Sequence, residues 1–215
     1  MQAANITTAF ERAALPISPV QAGLFAHYHA LLLKWNSKAN LLSKKDEARI
    51  LERHFLESAT LSHSFSGGES VLDLGCGAGF PGVPLKIMLP ELSLTLLDSK
   101  RRKGLFLNNL VEELNLTQTT VVCDRAELAA GQPALRKAID VVVCRAVARL
   151  CELIGLSSPF LKPDGSLLAI KGSAFESEIE EARKARPGLE FDVQPLPGAN
   201  LEASRNLRVV RVKNI

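Results

Sequence analysis

Val71-Leu72-Asp73-Leu74-Gly75-Cys76-Gly77-Ala78-Gly79-Phe80-Pro81-Gly82 is an apolar run that ends in an acid, crosses a glycine loop and reaches a proline. That order predicts a strand, a tight turn and a helix N-terminus. Glycines let the backbone come close to a ligand, and the first-turn N–H groups of a helix point at it. The pattern Gly77-x-Gly79-x-x-Gly82 is short, and alone it says little. Its surroundings add weight: the next apolar run, 93–98, ends in Asp98, where a carboxylate can accept from both hydroxyls of a ribose. An adenosyl cofactor laid against the loop is the expectation.

Outward from this stretch, apolar runs recur at 70–74, 93–98, 119–123, 139–144 and 166–171. Helical patterns fill the gaps at 81–89, 100–114, 147–161 and 174–186. Strands alternating with crossover helices predict an α/β fold with an open, doubly wound, mostly parallel sheet. Two last strands, 189–193 and 208–212, have a turn at 195–198 and no helix between them. They predict an antiparallel C-terminal hairpin and bring the sheet to seven strands. Upstream, Ser18-Pro19 reads as an N-cap and a first helical residue, followed by Leu24, Tyr28, Leu31, Leu32 and Trp35 at helical spacing. Asp46 is the expected cap of a second helix carrying Ile50, Leu51, His54, Phe55 and Leu61. Ser66-Gly67-Gly68 closes this region. The expected organisation is an N-terminal helical extension, 1–66, and a cofactor-binding core, 67–215.

Composition sets the bounds. In 215 residues, 47% hydrophobic and 23% charged, a sizeable core can form without metals or disulfides. No apolar stretch reaches the roughly 18 residues that a membrane span needs, and the N-terminus lacks the pattern of a signal peptide. Four cysteines without a C-x-x-C pair or zinc spacing fit a reducing cytoplasm. Cys123 and Cys144, within apolar runs, are expected in the core. A net charge of +3 permits an anionic partner without requiring one.

Asp73 discriminates between cofactors. A pyrophosphate would be repelled by a carboxylate at the mouth of its loop, whereas the sulfonium and ammonium of S-adenosylmethionine would be attracted. Asp73, Gly75, Gly77, Gly79 and Asp98 therefore point to a methyl donor. An oxidoreductase reading also lacks a Tyr-x-x-x-Lys relay, since Leu32 follows Tyr28 at that spacing. After the third strand, the N–H groups of Ala126 and Glu127 are placed to read an adenine nitrogen. The fourth strand ends in Arg145-Ala146, where acceptor meets donor, with no Asn/Asp-Pro-Pro-aromatic run for an exocyclic amine. No Pro-Cys or Thr-Cys occurs for attack on a pyrimidine ring. An acceptor that is already nucleophilic, such as guanine N7, remains, and its catalysis is chiefly alignment. Arg145 suits the donor's carboxylate, guanine O6 or a flanking phosphate.

These residues resemble the bacterial small-subunit rRNA guanine-N7 methyltransferase family, RsmG, also called glucose-inhibited division protein B. The resemblance runs from about Asn40 to the last strand. It is carried by Arg53-His54-Phe55-Leu56-Glu57-Ser58, the loop from Asp73 to Gly82, Leu97-Asp98-Ser99 with Lys100-Arg101-Arg102-Lys103, Arg125-Ala126-Glu127, Cys144-Arg145-Ala146-Val147-Ala148 and Lys171-Gly172. Cys76 stands where the family often has serine, and Ser43 falls near its common threonine. The resemblance implies a class I, Rossmann-like methyltransferase that methylates a guanine in the 530 loop of 16S rRNA, position 527. By carry-over it implies cofactor contacts from Gly75, Phe80, Ala126, Glu127 and Arg145, with Asp98 near the ribose and Arg145 positioning the reactants without a general base. Arg53, His54, Lys100, Arg101, Arg102, Lys103, Arg149 and Lys171 then form an expected RNA-facing rim. A cytoplasmic monomer acting on the small ribosomal subunit is the expected setting, with no metal. Another RNA or small molecule as acceptor, and a non-catalytic assembly factor, stay open at this stage.

Overall fold

The computed structural model describes residues 1–196 and 206–215. A first helix, α1 (Ala3–Arg12), leads to the longest, α2 (Pro19–Ala39). Ser18 caps α2 reciprocally: Gln21 N donates to Ser18 Oγ at 3.2 Å, and Ser18 N donates to Gln21 Oε1 at 2.8 Å. Pro19 fits the first helical position, where no N–H is needed. The helix stops at Asn40, which takes a left-handed φ of 47°. A single turn, α3 (Lys44–Glu47), follows. Its cap is Ser43, not the expected Asp46. Asp46 N donates to Ser43 Oγ, which donates in turn to Asp46 Oδ2. Serine caps as well as aspartate does and comes three residues earlier, so Asp46 falls inside the turn. The chain continues as a π-helical segment, Ile50–Leu56, into α4 (Glu57–Ala59) and a 3₁₀ turn, Thr60–Ser64.

The alternation then runs β1 (Ser70–Leu74), α5 (Gly82–Met88), β2 (Ser93–Leu97), α6 (Arg101–Glu113), β3 (Thr119–Val122), α7 (Ala126–Ala129), β4 (Ile139–Arg145), α8 (Leu150–Ser157), β5 (Leu161–Lys171), α9 (Phe175–Ala185), β6 (Glu190–Pro195) and β7 (Arg208–Lys213). The seven strands lie in the order β3-β2-β1-β4-β5-β7-β6. All pairs are parallel except β5·β7 and β6·β7. This is the doubly wound sheet with an antiparallel C-terminal hairpin that the sequence predicts. Strand order reverses between β1 and β4, so their C-terminal ends open the crevice where ligands bind in such sheets.

Three local expectations change. The helix expected from 147 begins at Leu150, and Ala146 holds a left-handed φ of 54°. β5 begins at Leu161, five residues early: Leu161 pairs with Ile139, and the register then shifts so that Ser166 meets Val141. Pro163, Asp164 and Gly165 fall within the strand, between these two registers. Cys123 is exposed, because it follows the edge strand β3, whereas Cys144 on central β4 is buried. Of the expected 195–198 turn, Pro195 ends β6, and Pro197 and Gly198 lie outside the described residues.

Alternation along β1 divides the core. Val71 faces a cluster containing Phe10, Phe25, Tyr28, Phe55, Leu94 and Phe106, and Leu72 faces one containing Val142, Ile154 and Phe160. The helical extension therefore shares its core with one face of the sheet. Gly67 and Gly68, with φ of 99° and 80°, turn the chain from one to the other. No helix among the described residues is long and apolar enough to cross a membrane.

Candidate active site

The glycine loop is fastened from three sides. From below, the N–H groups of Gly75 and Cys76 donate to Leu97 O at 2.8 and 3.1 Å. From the extension, Tyr28 donates its hydroxyl to Ala78 O at 2.6 Å. From within, Gly82 N donates to Asp73 Oδ2 at 2.7 Å. Gly75, Gly77 and Gly79 all take positive φ, 70°, 60° and 95°. A Cβ on Gly75 would lie 2.8 Å from Val147, and one on Gly79 would lie 2.8 Å from the Tyr28 hydroxyl. Glycine is required at both for shape as well as torsion.

Asp73 is fully buried, and its Oδ1 has no hydrogen-bond partner among the described residues. Burial pushes its carboxyl up to about 7, against the pull of the Gly82 N–H and Arg145. The side chain expected at the mouth of the loop is thus tucked beneath it. Asp98 also serves the loop. Its Oδ2 accepts from Gly77 N at 2.9 Å and Lys103 Nζ at 3.3 Å, and its Oδ1 accepts from Lys100 N at 2.9 Å. Beside it opens a pocket of about 250 Å³, lined by Leu74, Gly75, Asp98, Ser99, Ala126, Glu127 and Val147 among others. Ala126 and Glu127 open α7, so their N–H groups have no partner within that helix.

A larger cleft of about 540 Å³ adjoins this pocket through consecutive residues of one chain segment. Arg145 and Ala146 line the cleft, and Val147 lines the pocket. Its other walls include Asp46, Arg49, Arg53, His54, Glu57, Lys171 and Glu178. Arg145 is its centre. The guanidinium lies 5.6 Å from the centroid of the Phe80 ring and donates to Arg53 O at 2.6 Å and to Glu57 Oε2 at 3.2 Å. It also donates to His54 Nδ1. Burial, then the Arg145 charge, drives the His54 imidazole down to about 3, so it is neutral. Phe80 is buried between Tyr28 and His54, with ring centroids at 5.5 and 4.7 Å, so its side chain joins the loop to the extension.

The expected rim separates into groups. Arg53, His54, Arg145 and Lys171 meet at the cleft. Lys100, Arg101 and Arg102 are exposed where α6 begins, beyond Asp98. Lys103 folds back onto Asp98. Arg149 is exposed away from the cleft, paired with Glu181 of α9. Lys171 is half-buried, binding Glu178 at 2.6 Å and Ala148 O at 2.9 Å, and Glu178 also accepts from Leu150 N at the start of α8. Sequence reasoning missed Arg49, Asp46 and Glu57 as cleft residues. The spacing of Arg49 and Arg53, four apart, was the available signal.

A sequence model of the family described as rRNA small subunit methyltransferase G matches residues 21–207. The chain belongs to that family. A relative from Bacillus pumilus, named Ribosomal RNA small subunit methyltransferase G, is 37% identical over 218 residues, covering 99% of this chain and 91% of its own length. A relative of the same name from Roseiflexus castenholzii is 43% identical over 183 residues, covering 82% of this chain and 78% of its own length. Among solved structures, a SAM dependent methyltransferase from Aquifex aeolicus aligns with a TM-score of 0.59 and 17% identity, over 79% of this chain and 95% of that one. M. jannaschii TYW2 in complex with AdoMet aligns with a TM-score of 0.55 and 15% identity, over 76% and 78%. At such identities the structural likeness speaks for the class I methyltransferase fold. Membership of the family implies S-adenosylmethionine, and here a buried Asp73 oxygen without a partner among the described residues, next to the pocket lined by Gly75 and Asp98, suits a cationic, phosphate-free adenosyl ligand.

Proposed function

We propose that this protein methylates N7 of one guanine in the 530 loop of 16S rRNA, position 527, as a cytoplasmic monomer acting on the small ribosomal subunit. At the coarser level, family membership makes it an S-adenosylmethionine-dependent rRNA methyltransferase. The observation that carries the finer reading is the cleft itself, rimmed by Arg49, Arg53 and Arg145 and joined to the glycine-loop pocket at residues 145–147.

Bound S-adenosylmethionine supplies an electrophilic methyl group on sulfur. In this reading Asp98 accepts from the ribose, the Ala126 and Glu127 N–H groups read the adenine, and Gly75, Gly77, Gly79 and Phe80 shape the loop around the donor. Asp73 answers the donor's positive charge from beneath the loop. Guanine N7 carries a lone pair in the ring plane and no proton at neutral pH, so no residue needs to act as a base. The neutral His54 and buried Asp73 are compatible with that. Product formation makes the ring cationic, so Arg145 belongs at O6, a phosphate or the donor's carboxylate rather than against N7. The target must leave its stack to enter a cleft of this kind. Arg49, Arg53, Lys100, Arg101 and Arg102 supply phosphate contacts around it. Arg53 pairs with Asp46 at 3.0 Å, as Lys103, Arg149 and Lys171 pair with Asp98, Glu181 and Glu178, so a phosphate at any of these four would compete with a carboxylate.

The test is to incubate the purified protein with methyl-labelled S-adenosylmethionine and small subunits lacking the modification. Label in 16S rRNA is expected. Label confined to protein or tRNA, or donor binding without transfer to any rRNA form, would overturn the reading.

A further inference from the structure

Arg145 can donate five hydrogen bonds, in a planar fork. Three are committed to the N-terminal extension: Nη1 to Arg53 O and Glu57 Oε2, and Nη2 to His54 Nδ1. Both terminal nitrogens are therefore anchored on one side. Among the described residues the Nε–H and the second Nη2–H make no hydrogen bond, and together they form an edge suited to grip two oxygens. Which way that edge faces depends on its anchors. Arg53 O is backbone, and Glu57 is a buried carboxylate on the next element. His54 is the anchor that fixes Nη2.

We infer that His54 is the positioning residue for Arg145: a neutral imidazole whose Nδ1 accepts from the guanidinium and aims its remaining donor edge into the cleft. The inference rests on the proposed methyl transfer and deepens it. An imidazole with Nδ1 as acceptor carries its proton on Nε2. That nitrogen is buried without a hydrogen-bond partner among the described residues, and the nearest carboxylate oxygen, Asp46 Oδ1, lies 3.9 Å away and attracts an N–H there only through its charge. Stacking on Phe80 at 4.7 Å keeps the ring from rotating away. The π-helical Ile50–Leu56 segment presents both the Arg53 carbonyl and the His54 ring to the same guanidinium. Such segments recur at functional sites, because the extra residue per turn re-aims side chains.

A packing role and a positioning role predict different variants. Asparagine places its carbonyl oxygen where Nδ1 stands, whereas the amide of glutamine reaches the Nε2 position. Both lose the ring. His54→Asn should retain transfer to unmodified small subunits within about tenfold of wild type. His54→Gln and His54→Leu should each lose about 100-fold, the loss expected when a reacting group is misplaced by roughly an ångström. Thermal unfolding identifies any variant that merely fails to fold. Equal damage in Asn and Gln, with equal stability, would overturn the inference, as would an unimpaired Leu variant. A separate reading comes from ¹⁵N spectra of the histidines at neutral pH, in which His54 should show a bare Nδ1 and a protonated Nε2. A protonated Nδ1 overturns the inference whatever the activity. If wild-type protein shows the expected tautomer but labels no rRNA, the proposed function fails while the His54–Arg145 geometry stands.

Discussion

A carboxylate shut away from water holds on to its proton. Asp73 is raised to about 7 for this reason, well above the usual carboxylate range. A sulfonium and an ammonium arriving beside the loop favour its ionised form, so donor binding should release a proton. The sign follows: affinity for S-adenosylmethionine tightens as pH rises from about 6 to about 8. The calorimetric enthalpy should vary with the ionisation heat of the buffer, and Asp73→Asn should flatten both. Buffer-independent enthalpy in the wild type near neutral pH would contradict this. The acid is visible in the sequence, and its direction lies in strand parity rather than in the glycine pattern. Val71 and Asp73 share one face of β1 and Leu72 and Leu74 the other, so parity alone turns the carboxylate toward α5 and Gly82. Gly79 makes a steric prediction. Its φ is 95°, and a Cβ there would lie 2.8 Å from both Tyr28 Oη and Val83. Gly79→Ala should therefore cost about 1–3 kcal/mol in urea unfolding and weaken donor binding. An unchanged midpoint would contradict the packing.

At the scale of elements, regular pieces were legible and irregular ones were not. The α2 cap, the five parallel strands and the terminal hairpin follow from capping chemistry and from runs of period two or 3.6. The π-helical segment had no such signal, because its hydrogen-bond pattern is set by what it packs against. The cleft was legible in part: Arg53, His54, Arg145 and Lys171 belong to the expected rim, whereas Arg49 and Glu57 do not, and Glu57 meets Arg145, 88 residues on, only where the extension docks on the sheet edge. Tyr28 is the joint between the two. It stacks on Phe55 and Phe80 at 5.1 and 5.5 Å while bonding Ala78 O. Tyr28→Phe keeps the ring and strands a buried carbonyl, so it should cost about 1–3 kcal/mol. Donor affinity should fall with it, since Ala78 lies in the glycine loop. Full stability with full affinity would show that the hydroxyl does not hold the loop.

The helical extension and the sheet share one apolar cluster, so the whole chain is expected to unfold as a unit despite its two-part sequence. Phe10, Phe25, Tyr28 and Phe55 lie in the same apolar cluster as Val71, Leu94 and Leu96. Deleting residues 1–66 should therefore expose a sheet face and yield aggregated protein without cooperative unfolding. A soluble, donor-binding fragment 67–215 would instead establish two domains. The charge pattern also makes sense only at this scale. A net +3 is modest, yet Arg49, Arg53 and Arg145 converge on one cleft beside the donor pocket. The central claim is that this convergence delivers a single guanine N7 to the methyl group. It is tested most directly by mapping the labelled 16S rRNA with strand cleavage specific for N7-methylguanine. One cleavage, at position 527 of the 530 loop, is the predicted result. Cleavage elsewhere, or methylated rRNA that resists cleavage altogether, would contradict the account.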